Sequence, residues 1–230
     1  MPSYIRTLTV FFNNSIEPHQ VAQLRGGIIA LIGESTNGEV NTLFHNHIED
    51  KFRLAYPLIQ YKRISGKAAI VCLQEGCDQI STLLSTNNTE ITIEDTPVNL
   101  EISKIIPQRF IFQTWNTQYA YRIRRWLALN PENYNTYLQM EGIAEKITLL
   151  EKILTANILS FAKGMGIHIE NNIECKITSI NEPYFPTFKQ TKLTAFDVEF
   201  KTNVFLPNYI GLGKSSSLGF GIVTSKKDNK

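Results

Sequence analysis

Two apolar runs, Leu58–Ile64 and Ala68–Leu73, face each other across Ser65-Gly66-Lys67. The Ser-Gly pair supplies the backbone freedom of a tight turn, so the two runs read as a β-hairpin. What flanks this hairpin narrows the fold. Residues 4–12 alternate polar and apolar like a half-buried strand. Glu17-Pro18 opens a helical run, with Pro in the first turn, and Val21, Leu24, Ile28, Leu31 and Ile32 keep one apolar face up to Gly33. A loop follows at 35–42. After the hairpin come a short helix at about 75–86 and strands at about 89–94 and 97–103, split by Asp95-Thr96-Pro97. The order β-α-β-β-α-β, with one extra strand, is the ferredoxin-like plan.

The second half repeats the kinds of element. Strands are expected near 108–115 and 119–127, and Asn130-Pro131 signals a helix. Ile143, Ile147, Leu150, Leu154, Ile158 and Phe161 then recur at helical spacing, giving one amphipathic helix from Tyr134 to about Lys163 that ends at Gly164 and Gly166. Strands at about 172–180, 192–206 and 219–224 complete the pattern. The reading is an α+β chain of two tandem ferredoxin-like (RRM-like) units, residues 1–103 and 104–230, with a C-terminal glycine-rich loop.

With 230 residues and 43% hydrophobic content, the chain can bury a substantial core. No stretch approaches the ~20 apolar residues of a membrane span, so no membrane partner is expected. Leu8–Phe12 is too short for a signal-peptide core. Cys72, Cys77 and Cys175 form no paired pattern and read as reduced core thiols of a cytoplasmic protein. The net charge of +2 hides an asymmetry: residues 1–103 carry 7 basic against 11 acidic side chains, and residues 104–230 carry 16 against 10. A basic half beside an acidic one suits contact with a polyanion, although uneven scatter of surface charge gives the same numbers.

Chemistry concentrates at Leu43-Phe44-His45-Asn46-His47, which holds two of the four histidines. On a strand, residues i and i+2 share a face, about 7 Å apart at Cα. Imidazoles titrate near neutrality, so one can accept a proton while the other donates one, which is enough to cleave RNA without a metal. Two polar residues at the end of a helix are the plain alternative. A metal site would need a third ligand; His19 and His168 are distant, and only Glu49 and Asp50 are near. The tripeptide is not the HNH nuclease motif, whose residues are spread over a long segment. Lys51, Arg53, Tyr61 and Lys62 lie close in sequence, and a strand over Leu58–Ile64 could aim Lys62 at a phosphate.

Gly211-Leu212-Gly213-Lys214-Ser215-Ser216-Ser217-Leu218-Gly219-Phe220-Gly221 has the form G-x-G-x5-G-x-G. It is not a nucleotide P-loop, because position 208 is Asn and no nucleotide fold follows. Bare amides, hydroxyls and one lysine could approach phosphates here; a flexible turn is the alternative. Between Arg109 and Trp126, Arg109, Arg122, Arg124 and Arg125 interleave with six aromatics and no acid. That composition suits single-stranded RNA, although alternating aromatics also build cores.

The glycine loop, with Leu24-Arg25-Gly26-Gly27-Ile28-Ile29, Leu43–His47 and Tyr56-Pro57-Leu58-Ile59-Gln60-Tyr61-Lys62, resembles the b-type subfamily of CRISPR-associated endoribonucleases that process repeat RNA. The resemblance covers nearly the full length. It implies cleavage of repeat RNA to guide RNAs, without metal or cofactor, by attack of the 2′-hydroxyl, leaving 2′,3′-cyclic phosphate and 5′-hydroxyl ends. It places the acid–base roles on His45 and His47. Lys62, or else Lys51, would stabilise the phosphorane, and Tyr56 or Tyr61 would orient a histidine or the phosphate. The family also places RNA contacts on the glycine loop, here Gly211, Gly213, Lys214, Ser215, Gly219 and Gly221. The composition of the basic strand adds Arg122, Arg124 and Arg125, and Tyr61 and Lys51 near the histidines complete the expected RNA-binding set. Repeat RNA is the implied partner, with effector-complex proteins or a second copy in a homodimer left open. A non-catalytic RNA-binding module is the alternative.

Overall fold

The computed structural model describes residues 3–36, 42–45, 47–48, 51–52, 56–188 and 190–226, with the backbone alone at residues 35, 45, 47, 48, 51 and 52. The chain forms two compact units. The first comprises Tyr4–Phe110 and Ser217–Gly219; the second comprises Ile111–Ser216 and the chain from Phe220, together with Ser3.

In the first unit, β1 (Tyr4–Ser15) leads through a 3₁₀ turn, Pro18–Gln20, to α1 (Val21–Ser35). The apolar face expected of α1 is buried at Val21, Leu24, Ile28, Leu31 and Ile32. A short α2 (Thr42–His45) and two-residue strands β2 (His47–Ile48) and β3 (Lys51–Phe52) follow. The predicted hairpin is β4 (Ile59–Ile64) and β5 (Lys67–Leu73). Its turn places Ser65 at φ 49° and Gly66 at φ 84°, the doubly left-handed geometry that matches strand twist. Two short helices, α3 (Gly76–Gln79) and α4 (Ser81–Leu84), replace the single one expected. A second hairpin, β6 (Glu90–Ile93) and β7 (Thr96–Asn99), turns at Glu94 and Asp95, both left-handed. It lies against α1 so closely that a Cβ on Gly27 would sit 2.7 Å from Ile91 Cβ.

The closing strand is β8 (Ile102–Ile111), and the sheet order is β4-β5-β1-β8. That is the ferredoxin-like order, with β6–β7 as an inserted hairpin. The strand expected to open the second half near 108 is therefore the last strand of the first unit. Pro107 is accommodated because on an edge strand its missing N–H costs little.

The second unit runs β9 (Thr114–Trp126), α5 (Pro131–Gln139), α6 (Ile143–Gly164), β10 (Cys175–Ile180), the small pair β11 (Thr187–Phe188) and β12 (Thr191–Lys192), β13 (Phe196–Val204) and β14 (Ile222–Ser225). Its sheet order, β10-β13-β9-β14, is again ferredoxin-like. Asn130 caps α5, its Oδ1 accepting from Asn133 N–H at 2.7 Å. The single helix expected over 134–163 is two, because Met140 turns extended and Gly142 serves as the N-cap of α6. The buried stripe of α6 includes Leu150, Leu154, Ile158 and Phe161. Left-handed Gly166 ends it, with Ile167 N–H reaching back to Ala162 O at 2.9 Å. Among the described residues no helix is long and apolar enough to cross a membrane.

Candidate active site and nucleic-acid interface

His45 closes α2 and His47 opens β2, so the two do not share one strand as the i,i+2 argument assumed. The backbone of β2 pairs with β3, His47 opposite Phe52 and Ile48 opposite Lys51. The side chains of His45, His47 and Lys51 lie outside the described residues, and so does the expectation that the imidazoles share a face. What holds this segment is visible one residue earlier. Leu43 and Phe44 are buried. The Phe44 carbonyl accepts from Tyr61 Oη at 3.3 Å and from Arg25 Nε at 3.4 Å. Burial pushes the Tyr61 phenol well above the ordinary tyrosine range, so it stays a proton donor. Burial lowers the Arg25 pKa, partly offset by Tyr61, yet a guanidinium keeps its charge in water.

Tyr61 is pinned on its backbone as well. Its N–H donates to Ser217 O at 2.9 Å, and it forms a parallel bridge with Leu218. The ring is fully buried, which departs from the expectation of a tyrosine offered to RNA. Lys62, next along β4, is 0% exposed, and burial pushes its amine down to about 7. A lysine so enclosed does not face a solvent phosphate, which counts against the phosphorane-stabilising role expected of it. Strand β4 is an edge strand, but all four residues from Ile59 to Lys62 are buried. Tyr56 is half-buried.

The arginines of β9 divide by the alternation of the strand. Tyr121 and Ile123 point into the core, whereas Arg122 and Arg124 lie on the other face. Arg122, Arg124, Ser179, Asn181, Asp197, Val198 and Glu199 line a polar pocket of about 280 Å³. Arg122 pairs with Glu199, which also receives Lys226 Nζ. Those two cations, Lys226 first, hold the Glu199 carboxyl below its usual range. Arg124 is exposed and makes no ion pair among the described residues. Arg125 departs from expectation. Its backbone is left-handed at φ 53°, its N–H donates to Asp197 Oδ1 at 2.8 Å, and its guanidinium stacks on Phe220. It braces the fold and presents no free cation to RNA.

The glycine loop is packed and hydrogen-bonded. Gly211 bridges Ile222, Leu212 N–H donates to Gly221 O at 2.9 Å, and Gly221 N–H donates to Arg125 O at 3.0 Å. Gly221 is left-handed at φ 61°, and a Cβ there would meet Leu212 O at 1.8 Å. Gly213 lies over the Trp126 indole, whose N–H donates to Asn157 Oδ1 at 2.9 Å. Gly211, Gly219 and Gly221 are buried, so these glycines serve close packing and not an open cradle of amides. Lys214 is exposed, and Ser215 is left-handed and half-buried. In this loop only Lys214 offers an exposed cation.

Sequence reasoning missed Arg25 and Phe44 as site-building residues. Both stand in the segments that carry the family resemblance, but a bond from a side chain to a distant carbonyl leaves no periodic trace in the sequence. Asp197 and Glu199 were also missed, since an alternating acidic pair in a strand reads as an ordinary solvated face.

Comparison with known proteins decides the family. Residues 3–110 match the Cas6b N-terminal domain and residues 113–226 the Cas6b C-terminal domain. An uncharacterized protein of Methanocaldococcus jannaschii is 38% identical over 101 residues, 44% of this chain and 67% of that protein. The chain belongs to the Cas6b family. A crystal structure of a Cas6b superposes with TM-score 0.86 at 24% identity, covering 97% of this chain and 100% of that one. A second solved Cas6b, described as a CRISPR RNA processing endoribonuclease, gives TM-score 0.70 at 22% identity with the same coverage. These likenesses show that the Cas6b fold spans the chain, tandem ferredoxin-like units included.

Proposed function

We propose that this Cas6b-family chain is an endoribonuclease that cuts CRISPR repeat RNA into guide RNAs. The observation that carries the reading is the match of both halves to the Cas6b domains, in a chain whose histidine pair follows the doubly anchored Phe44. The proposed chemistry needs no metal. One of His45 and His47 removes the proton from the 2′-hydroxyl, which attacks the adjacent phosphorus. The other protonates the departing 5′-oxygen, giving 2′,3′-cyclic phosphate and 5′-hydroxyl ends. A cation that reaches solvent stabilises the phosphorane. Lys51, one register step from His47 across the β2–β3 pair, is a better candidate for it than buried Lys62. Tyr56 orients a histidine or the phosphate. The exposed cations Arg124 and Lys214 hold the RNA backbone.

The test is incubation of the purified protein with repeat RNA in EDTA, followed by analysis of product ends. Cyclic-phosphate products at one position within the repeat are expected. Tight, salt-sensitive repeat binding with no cleavage would replace this reading with an RNA-holding module.

A further inference from the structure

We infer that Tyr61 and Arg25 are positioning residues that set the histidine segment through the Phe44 carbonyl, and that the strap Ser217–Gly219 fixes Tyr61 in place. The inference rests on the acid–base reading for His45 and His47, and it adds residues that act on the histidine segment through its backbone.

Four observations converge. The Phe44 carbonyl, one peptide bond before His45, takes two donors from two different elements: Tyr61 Oη of β4 at 3.3 Å and Arg25 Nε of α1 at 3.4 Å. A buried carbonyl has two lone pairs, and filling both fixes the direction of the peptide plane as well as its place. The Phe44 side chain is itself buried, so the residue is held at both its ring and its oxygen. Finally, Tyr61 cannot slide along the strand, because its N–H is tied to Ser217 O at 2.9 Å and Leu218 bridges it in parallel. Gly219 is left-handed at φ +78°, and a Cβ added there would lie 3.4 Å from the Val21 side chain at the start of α1. One carbonyl is therefore gripped from two elements, and the strap is bonded to β4 and lies beside the start of α1.

A donor pair of this kind matters for catalysis because acid–base transfer tolerates little misplacement. A shift of about 1 Å in a catalytic group costs on the order of 10²-fold in rate. Tyr61→Phe removes one donor and keeps the ring in its buried slot. Arg25→Lys keeps the charge but not the planar donor aimed at the carbonyl.

The test has two readouts on the full chain. The first is single-turnover cleavage of repeat RNA with a separate measurement of RNA affinity. Tyr61→Phe is expected to slow cleavage about tenfold with RNA affinity and melting temperature unchanged, and Arg25→Lys to act in the same direction. In a His45→Ala background the same change is expected to add nothing, since it acts through the histidine segment. The second readout needs no activity: hydrogen exchange at the amides of Leu43–His45, expected to quicken in Tyr61→Phe while exchange in β5 is unchanged. Normal cleavage and normal exchange in Tyr61→Phe would overturn the inference. So would slowed cleavage that comes with weaker RNA binding and unaltered exchange. If the wild-type protein cuts no RNA but the exchange result holds, the nuclease reading fails and the clamp on Phe44 stands. If Tyr61→Phe fails to fold, Arg25→Lys carries both readouts.

Discussion

The Arg125 guanidinium lies 4.7 Å from the centre of the Phe220 ring, so an arginine of the basic strand is spent on holding the glycine loop. Arg124, its neighbour, is exposed and unpaired among the described residues. The two substitutions are expected to differ in kind. Arg124→Ala should weaken RNA binding with little effect on melting, and lower the log–log salt slope by about 0.7 for a single-stranded contact. Arg125→Ala should cost about 1–2 kcal/mol of stability through lost stacking and packing. Salt titrations of binding and urea melts check both.

His45→Ala and His47→Ala are each expected to slow repeat cleavage by ~10²–10⁴-fold, with RNA affinity nearly intact. Rates in EDTA should match those without it. Full activity in the double variant, measured under single-turnover conditions, would remove the histidines from the mechanism.

Burial pushes the Lys62 amine down to about 7 from an ordinary 10.5. Between those values the unfolded chain binds more protons than the folded one, so stability rises with pH. From pH 7 to 8.5 the gain is on the order of 1–2 kcal/mol at most. The window closes near pH 9, where the opposite sign takes over: burial holds Cys77 up to about 11 and Cys175 up to about 12, and the unfolded thiols ionise first. Lys62→Met should flatten the rise over pH 7–8.5 in urea midpoints.

Two glycines give a contrast in sign. Gly221→Ala drives a Cβ into Leu212 O from a left-handed backbone, and should cost about 3 kcal/mol. Gly26 lies in α1, exposed, with nothing within 4 Å of a Cβ. Gly26→Ala should stabilise by about 0.5–1 kcal/mol. Thermal melts of the two variants decide.

The hairpin at Ser65-Gly66 was legible because its signal is local: two left-handed residues between apolar runs. The faces of α1 and α6 were legible from period alone. Strand β8 was not, since it is an edge strand whose residues are mostly exposed and carries a proline, leaving no alternation to read. Tyr61 and Lys62 misled for a related reason. Tyrosine and lysine usually keep a polar end in water, and neither does here. Arg125 misled because composition does not report which arginines are already stacked. The histidine pair was singled out by its spacing alone, and the strand assumed beneath it is a helix end at His45.

The first unit is completed by residues more than a hundred positions later: Ser217 and Leu218 lie along Tyr61 on the edge strand β4. During synthesis, Tyr4–Phe110 leaves the ribosome with that edge uncovered, and it stays uncovered until residue 219 has emerged. At ~5–20 residues per second this is an interval of many seconds in which β4 is an open template for stray strands. Splitting the gene between the two halves would make that interval permanent.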